Sequence, residues 1–382
     1  LAVIYLDHNA TTPLDERVLE EMLPWLQGNW GNPSSVHAPG RAARSALEQA
    51  REQVAALTSA HPSQVVFTSG GTEANNMAIK GVAGRMPAAH LAASAVEHAS
   101  VQQPLASLGR VGMTVSSISV NEYGQLDMQA LAEAMRQGAR FVSVMWANNE
   151  TGVINDIAAV AAAVRDAGGI LHTDAVQALA KLPVDFADSG AHLMSVSAHK
   201  INGPKGVGAL LWDKAVDMEP LLHGGGQEKG RRGGTENIAA IVGFGRAAGL
   251  ALAEQQGRYQ HSLALRQHLE HGLAAQLPEA VIFGAGAERL PNTVFLALPG
   301  LEGETLLLEL DRLGLAVSSG AACGSGYSEP SHVLHAMGVP AELARCALRI
   351  SFGAGNTVSD VDALIAALQQ AARLQLKSAA AW

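Results

Sequence analysis

Cysteine is scarce in this chain: Cys323 and Cys346 are the only two thiols in 382 residues. Two cysteines cannot build a disulfide framework, so a reduced, cytoplasmic protein is expected. Aromatic residues make up only 4% of the sequence. Positive charge is in deficit as well, with 26 Lys and Arg against 35 Asp and Glu and a formal net charge of -9. That balance argues against the broad basic face that direct nucleic-acid binding requires. Long hydrophobic runs are also missing; no apolar stretch reads as long enough to cross a bilayer, so no membrane association is expected. The opening run Leu1–Asp7 reads as a strand rather than a secretory leader. No histidine and cysteine spacing matches a zinc motif, and no resident metal is expected.

What is present is apolar material, at 48% of residues, with 40 glycines. This suffices for one large domain and a smaller one. Strand-like runs Gln64–Thr68, Leu91–Ala95, Phe141–Trp146, Ile170–Thr173, His192–Val196 and Gly208–Trp212 alternate with helical stretches. That alternation predicts an α/β fold with a mainly parallel sheet flanked by helices. Two helices are expected over Glu236–Glu254 and Gln260–Gln276. Strands at Asn292–Leu298, Leu315–Ser318 and Ala347–Ser351 surround a helix at Gly303–Leu313. The division expected is a large domain over 13–250 and a smaller α+β domain formed by 1–12 and 251–382.

In open sheets of this kind, ligands bind beyond the carboxyl ends of the strands. His98, Asn149, Asp174, Gln177, Ser197, His199 and Lys200 all follow such ends, so they should converge on one crevice. Lys200 stands between a strand and a Gly-Pro-Lys-Gly turn, where an amine can condense with a carbonyl group. The carbonyl cofactor that suits its company is pyridoxal phosphate. Gly70-Gly71-Thr72-Glu73 opens a helix directly after a strand, an arrangement that offers free amides to a phosphate or serves as an ordinary cap. Asp174 can hold a pyridine nitrogen protonated or cap a helix. His98 can stack on a ring and move protons, or simply open the next helix. Cys323 lies among Gly, Ala and Ser, which favours an accessible thiol; Cys346, among larger residues, reads as structural. Arg349 sits mid-strand in apolar surroundings and needs an anion, either a substrate carboxylate or a structural partner.

Taken in order, Tyr5–Thr12, Gly31–Ser35, Thr68–Asn76, Glu97-His98, Asn148–Gly152, His172–Gln177, Ser197–Gly206, His223–Gln227, Gly233–Asn237 and Ser318–His332 resemble the cysteine desulfurases of the NifS/IscS type. These form part of the class V aminotransferase group of fold-type I pyridoxal phosphate enzymes. The resemblance spans nearly the whole chain. It implies a fold-type I transferase whose large domain carries a seven-stranded sheet. It implies that Lys200 carries the cofactor, Asp174 pairs with its ring nitrogen and His98 stacks on the ring. Asn149 and Gln177 would contact the ring hydroxyl side, with Asn149 also near substrate. Gly71, Thr72, Ser197 and His199 would hold the phosphate. Thr235 would reach the phosphate of a neighbouring subunit, which implies a homodimer. Arg349 would bind the substrate carboxylate, and Cys323 would form a persulfide.

The activity implied is conversion of L-cysteine to L-alanine, with sulfur passed to an acceptor protein such as an iron–sulfur scaffold or a sulfur carrier. Cys323 is also a possible transient iron–sulfur ligand. The family pattern Ser-Ser-Gly-Ser-Ala-Cys-Thr-Ser reads here Ser318-Ser319-Gly320-Ala321-Ala322-Cys323-Gly324-Ser325, so two hydroxyl positions are lost. Competing readings are a selenocysteine lyase or another pyridoxal phosphate lyase, an aminotransferase, and a non-catalytic sulfur-relay scaffold.

Overall fold

The computed structural model describes residues 3–86, 88–319 and 330–379, the last six by their backbone alone. Seven strands form the central sheet, in the order Val65–Thr68, Gly208–Trp212, Leu193–Ser197, Ile170–Asp174, Ala139–Ser143, His90–Ser94 and Val115–Ile118. Neighbours from Leu193–Ser197 through to Val115–Ile118 pair in parallel. Gly208–Trp212 runs antiparallel to both of its neighbours. The interior strands are buried along nearly their whole length. Continuous apolar strands of this type need helices on both faces, and two core clusters lie against the sheet. The edge strand Val115–Ile118 is not legible in sequence. It carries two serines and is buried at Ile118 alone, so it lacks an apolar run.

The sheet is what places the site. Three strands end at Asp174, Ser197 and Ser94, and each is followed by a tight connection carrying polar side chains. Gly208 makes one close approach possible, since a Cβ there would lie 2.8 Å from the backbone of Gly70. Gly70 itself has φ +150°, a conformation that favours glycine.

The C-terminal part adds a four-stranded antiparallel sheet, ordered Ser318–Ser319, Ala347–Ser351, Thr293–Ala297 and Val281–Ile282. The N-terminal strand Ile4–Tyr5 pairs in parallel with Leu315–Ala316. Asp7 bridges to Ser351, which carries the first residues of the chain to the mouth of the large sheet.

Two expectations need correction. The run Leu315–Ser318 is not one strand; it divides into Leu315–Ala316 and Ser318–Ser319, which join different sheets. The two helices expected over Glu236–Glu254 and Gln260–Gln276 are one, Ile238–Gln276, 39 residues long. The Gln255–Gln260 segment that suggests a break holds Gly257 but no proline. A glycine costs a helix only about 1 kcal/mol relative to alanine. Packing offsets that cost at both ends: Phe244, Ala247 and Ala248 join the core below the large sheet, and Leu265, Leu269 and Leu273 join the C-terminal core. This helix also contains an 18-residue window of mean hydropathy 1.2, long and apolar enough by those measures to cross a membrane. The expectation that no stretch reaches that length is therefore corrected; 61% of the window is buried within the protein.

Candidate active site

A cavity of about 360 Å³ opens at the carboxyl ends of the parallel strands. Gly71, Thr72, His98, Asn149, Asp174, Gln177, Ser197, His199, Lys200 and Arg349 all line it. The strand-end residues singled out in the sequence are thus brought together. Thr235 is exposed and does not line this cavity. Cys323, with Ala321 and Gly324, lies outside the described residues.

Lys200 closes a short 3-10 turn that follows the strand Leu193–Ser197. Its amine donates to the carbonyl oxygens of Asn9 and Ala10. Burial, and then the Arg349 guanidinium, push the amine down to about 8, against the upward pull of Asp174 and Asp7. Deprotonation gives the nucleophilic form, so a lowered value makes Lys200 reactive nearer neutrality than an ordinary lysine at about 10.4. Trapping of a small aldehyde on Lys200 by cyanoborohydride, followed by mass spectrometry, should therefore quicken up to pH about 8 and then level. A rate still climbing at pH 10 would mean an amine that behaves as if in water.

Asp174 ends the strand Ile170–Asp174 and is 6% exposed. Its Oδ1 accepts from the Val176 amide at 3.0 Å, and its Oδ2 accepts from Asn75 Nδ2 at 2.7 Å. Asn75 lies on the helix Gly71–Arg85, so one helix carries Gly71, Thr72 and the Asp174 support. Behind Asp174, the wholly buried Glu97 accepts from the Met145 amide at 2.6 Å. Burial, and then Asp174, push the Glu97 carboxyl up to about 8, which keeps it neutral at pH 7. His98 caps the helix Ala99–Arg110, its Nδ1 accepting from the Ser100 amide at 3.1 Å. It is a helix opener and a cavity residue at once.

One end of the cavity has the features that an anion requires. Gly70 gives the helix Gly71–Arg85 no side-chain cap, leaving first-turn amides free. Ser197 Oγ is buried with no hydrogen-bond partner among the described residues. His199 is pushed down to about 4, first by burial and then by Lys200, Lys205 and Lys181, and Thr11 Oγ1 lies 3.1 Å from its Nδ1. An orphaned buried hydroxyl beside an uncapped helix start suits an anion.

Arg349 has the structural partner that one of its two readings requires. NH2 pairs with Asp7 Oδ1 at 2.7 Å, and NH1 donates to the Asn149 carbonyl at 3.2 Å. Its Nε has no partner among the described residues, while the residue still lines the cavity. A guanidinium has five N–H donors, so the structural pair leaves capacity for a ligand carboxylate.

Sequence reasoning misses Asn9, Asn75 and Lys181. Asn9 is 1% exposed, and its carbonyl receives both Lys200 and Gln177. Its side-chain amide donates to the Asn149 carbonyl and to Thr293 Oγ1. Asn9 stands inside the Tyr5–Thr12 run, which is the signal that could have marked it. Lys181, four residues after Gln177, donates to Gln177 Oε1 at 2.6 Å.

A parallel sheet with a lysine, an aspartate and an uncapped helix start around one crevice defines an α/β enzyme of the aminotransferase type. The family model for class-V aminotransferases matches residues 4–364, and the chain belongs to that family. Its relatives include the cysteine desulfurase of Cereibacter sphaeroides, 45% identical over 96% of this chain and 94% of that protein. The cysteine desulfurase NifS of Azotobacter vinelandii is 42% identical over 96% of this chain and 91% of its own length. A solved structure described as a NifS-like protein superposes with a TM-score of 0.91 at 36% identity, covering 97% of this chain and all of the other. Proteins of this family are pyridoxal phosphate enzymes.

Proposed function

We propose that this chain is a pyridoxal phosphate-dependent cysteine desulfurase that converts L-cysteine to L-alanine and carries the sulfur as a persulfide on Cys323. The observation that supports this most is Lys200 and Asp174 on one cavity, beside an uncapped helix start and an unpartnered Ser197 hydroxyl. In this reading Lys200 would be the covalent anchor of the cofactor, Asp174 would pair with the ring nitrogen and His98 would stack on the ring. Asn149 and Gln177 would contact the ring hydroxyl side. Gly71, Thr72, Ser197 and His199 would hold the phosphate, and Arg349 would bind the substrate carboxylate through the N–H donors left over from its Asp7 and Asn149 contacts. Bound pyridoxal phosphate supplies an electron sink for charge developing at the substrate Cα.

The protein's own steps follow from these placements. The Lys200 amine, pushed down to about 8, takes the proton from Cα. The Cys323 thiolate attacks the substrate sulfur. An S–S bond forms as the Cβ–S bond breaks, the electron pair stays with the carbon skeleton, and protonation at Cβ with return of a proton to Cα yields alanine. The persulfide then passes to a sulfur-acceptor protein, an iron–sulfur scaffold or a sulfur carrier. The exposed position of Thr235, away from its own cavity, is in keeping with a homodimer in which it serves the partner's site. A chain with two cysteines suits a reduced, cytoplasmic compartment.

Alanine and sulfide production from L-cysteine with reductant present tests this, with the parent protein and Cys323→Ser side by side. The parent should be active and the variant should lose at least about 100-fold, the order expected for removal of a nucleophile, while still binding cofactor. Equal activity in both would replace the desulfurase reading with a lyase that needs no thiol.

A further inference from the structure

Lys181 is a half-buried lysine with no role in the steps above, and its two side-chain partners are neutral amide oxygens. Its amine donates to Gln177 Oε1 at 2.6 Å and to Asn9 Oδ1 at 3.3 Å. Burial, then Lys200 and Arg349, push this amine well below the ordinary lysine range. In either protonation state the amine has N–H donors enough for those two oxygens.

The consequence lies in how the Gln177 amide is turned. Its oxygen is taken by Lys181, and its nitrogen gives one hydrogen to the Asn9 carbonyl at 2.9 Å. The second hydrogen on that nitrogen has no acceptor among the described residues, and Gln177, 4% exposed, forms part of the cavity wall. Flipping the amide would set its oxygen against the Asn9 carbonyl and give up the Lys181-to-Oε1 hydrogen bond, so the network favours the observed orientation. Asn9 is fixed in the same way, with its side-chain oxygen toward Lys181 and its side-chain nitrogen toward Asn149 and Thr293.

We propose that Lys181 is a positioning residue that holds the Gln177 amide with its N–H donor facing the cavity, so that this wall selects a ligand bearing an acceptor oxygen there. This rests on the reading that the cavity takes pyridoxal phosphate, whose ring hydroxyl oxygen is that acceptor. Freeing the amide would let it present its oxygen instead, and a donor would be exchanged for a repulsive acceptor.

The test is a binding cycle on the cofactor-free protein, parent and Lys181→Met, titrated with pyridoxal phosphate and with its 3-deoxy analogue, which lacks the ring hydroxyl. Lys181→Met should weaken pyridoxal phosphate binding by about 10-fold, the size of one hydrogen bond to a charged group. The same substitution should leave affinity for the 3-deoxy analogue unchanged within about 2-fold. Equal weakening for both ligands would make Lys181 a general support of the fold and overturn the proposal, as would no weakening for either. If Lys181→Met does not fold, Lys181→Gln, whose amide can donate to the same oxygen, serves in its place. It should keep the parent's preference for the hydroxyl-bearing ligand, and loss of that preference would overturn the proposal. A parent protein that takes up neither ligand would instead remove the cofactor reading itself.

Discussion

Lys200→Ala should lower alanine production from L-cysteine by more than about 1000-fold, the combined loss of a covalent anchor and a proton-transferring group. Lys200 is well placed for both roles. Its amine is held by two backbone carbonyls, those of Asn9 and Ala10, at the end of a fully buried strand. After burial, the Arg349 guanidinium is what most lowers its hold on a proton below that of an ordinary lysine. Removing it takes away an amine whose burial disfavours its charged form, so the melting temperature should not fall. The contrast between a stable fold and lost turnover is the point of the experiment. Borohydride reduction of the parent with cofactor bound should add the cofactor mass to the peptide carrying Lys200, and the variant should show no such adduct. Turnover retained within about tenfold by Lys200→Ala would remove this residue from the chemistry.

The legibility of this site in the sequence divides along one physical line. Asp174, Ser197 and Lys200 can be found because each closes or follows an apolar strand of a βα alternation. Topology then sends all such ends to one edge of the sheet. Gly71 and Thr72 can be found for the same reason, standing at a strand-to-helix junction. Asn9 cannot be found that way. It reaches the cavity because its backbone amide donates to Ser351 Oγ, 342 residues away, and because Asp7 bridges to the same residue. No local pattern encodes such a contact. Asn75 is hidden for a different reason. The helix Gly71–Arg85 is buried on much of its circumference, at Ala74, Met77, Ala78, Ile79 and Val82 among others. Its polar positions therefore mark no solvent face, and Asn75 is spent on Asp174 and Ser100. Lys181 goes unmarked in the sequence, since only the tertiary contact with Gln177 turns its amine inward. The long helix Ile238–Gln276 reads as two because one glycine resembles a stop signal. Whether a glycine ends a helix depends on what packs on either side of it, and sequence periodicity does not report that.

Asp174→Asn tests whether the cavity's buried acid supplies charge or only shape. The substitution keeps the volume, and the new side-chain amide retains an oxygen that can still accept from Asn75 or from the Val176 amide, so the fold should be undisturbed. What changes is the side facing the cavity, where an anion becomes a neutral amide. No other carboxylate among the described residues is placed to take over. Asp7 is engaged by Arg349 at 2.7 Å. Glu97, pushed up to about 8 by burial and then by Asp174, carries its proton at pH 7 and does not line the cavity. Removing the Asp174 charge also removes part of what holds the Glu97 proton, so the Glu97 value should move down, though burial keeps it above an ordinary glutamate. Loss of a preorganised charge at the centre of a reaction typically costs about 100- to 1000-fold in turnover. That range is the expected fall for alanine formation by Asp174→Asn. Cofactor affinity should fall by a smaller factor, about 10-fold, because a charge-assisted hydrogen bond is replaced rather than a contact surface lost. The discriminating comparison is kcat against cofactor affinity, measured on the same preparation with melting temperature as the control. A fall in affinity with kcat preserved at saturating cofactor would make Asp174 a binding residue alone, and the sink that drives the chemistry would need another source of charge.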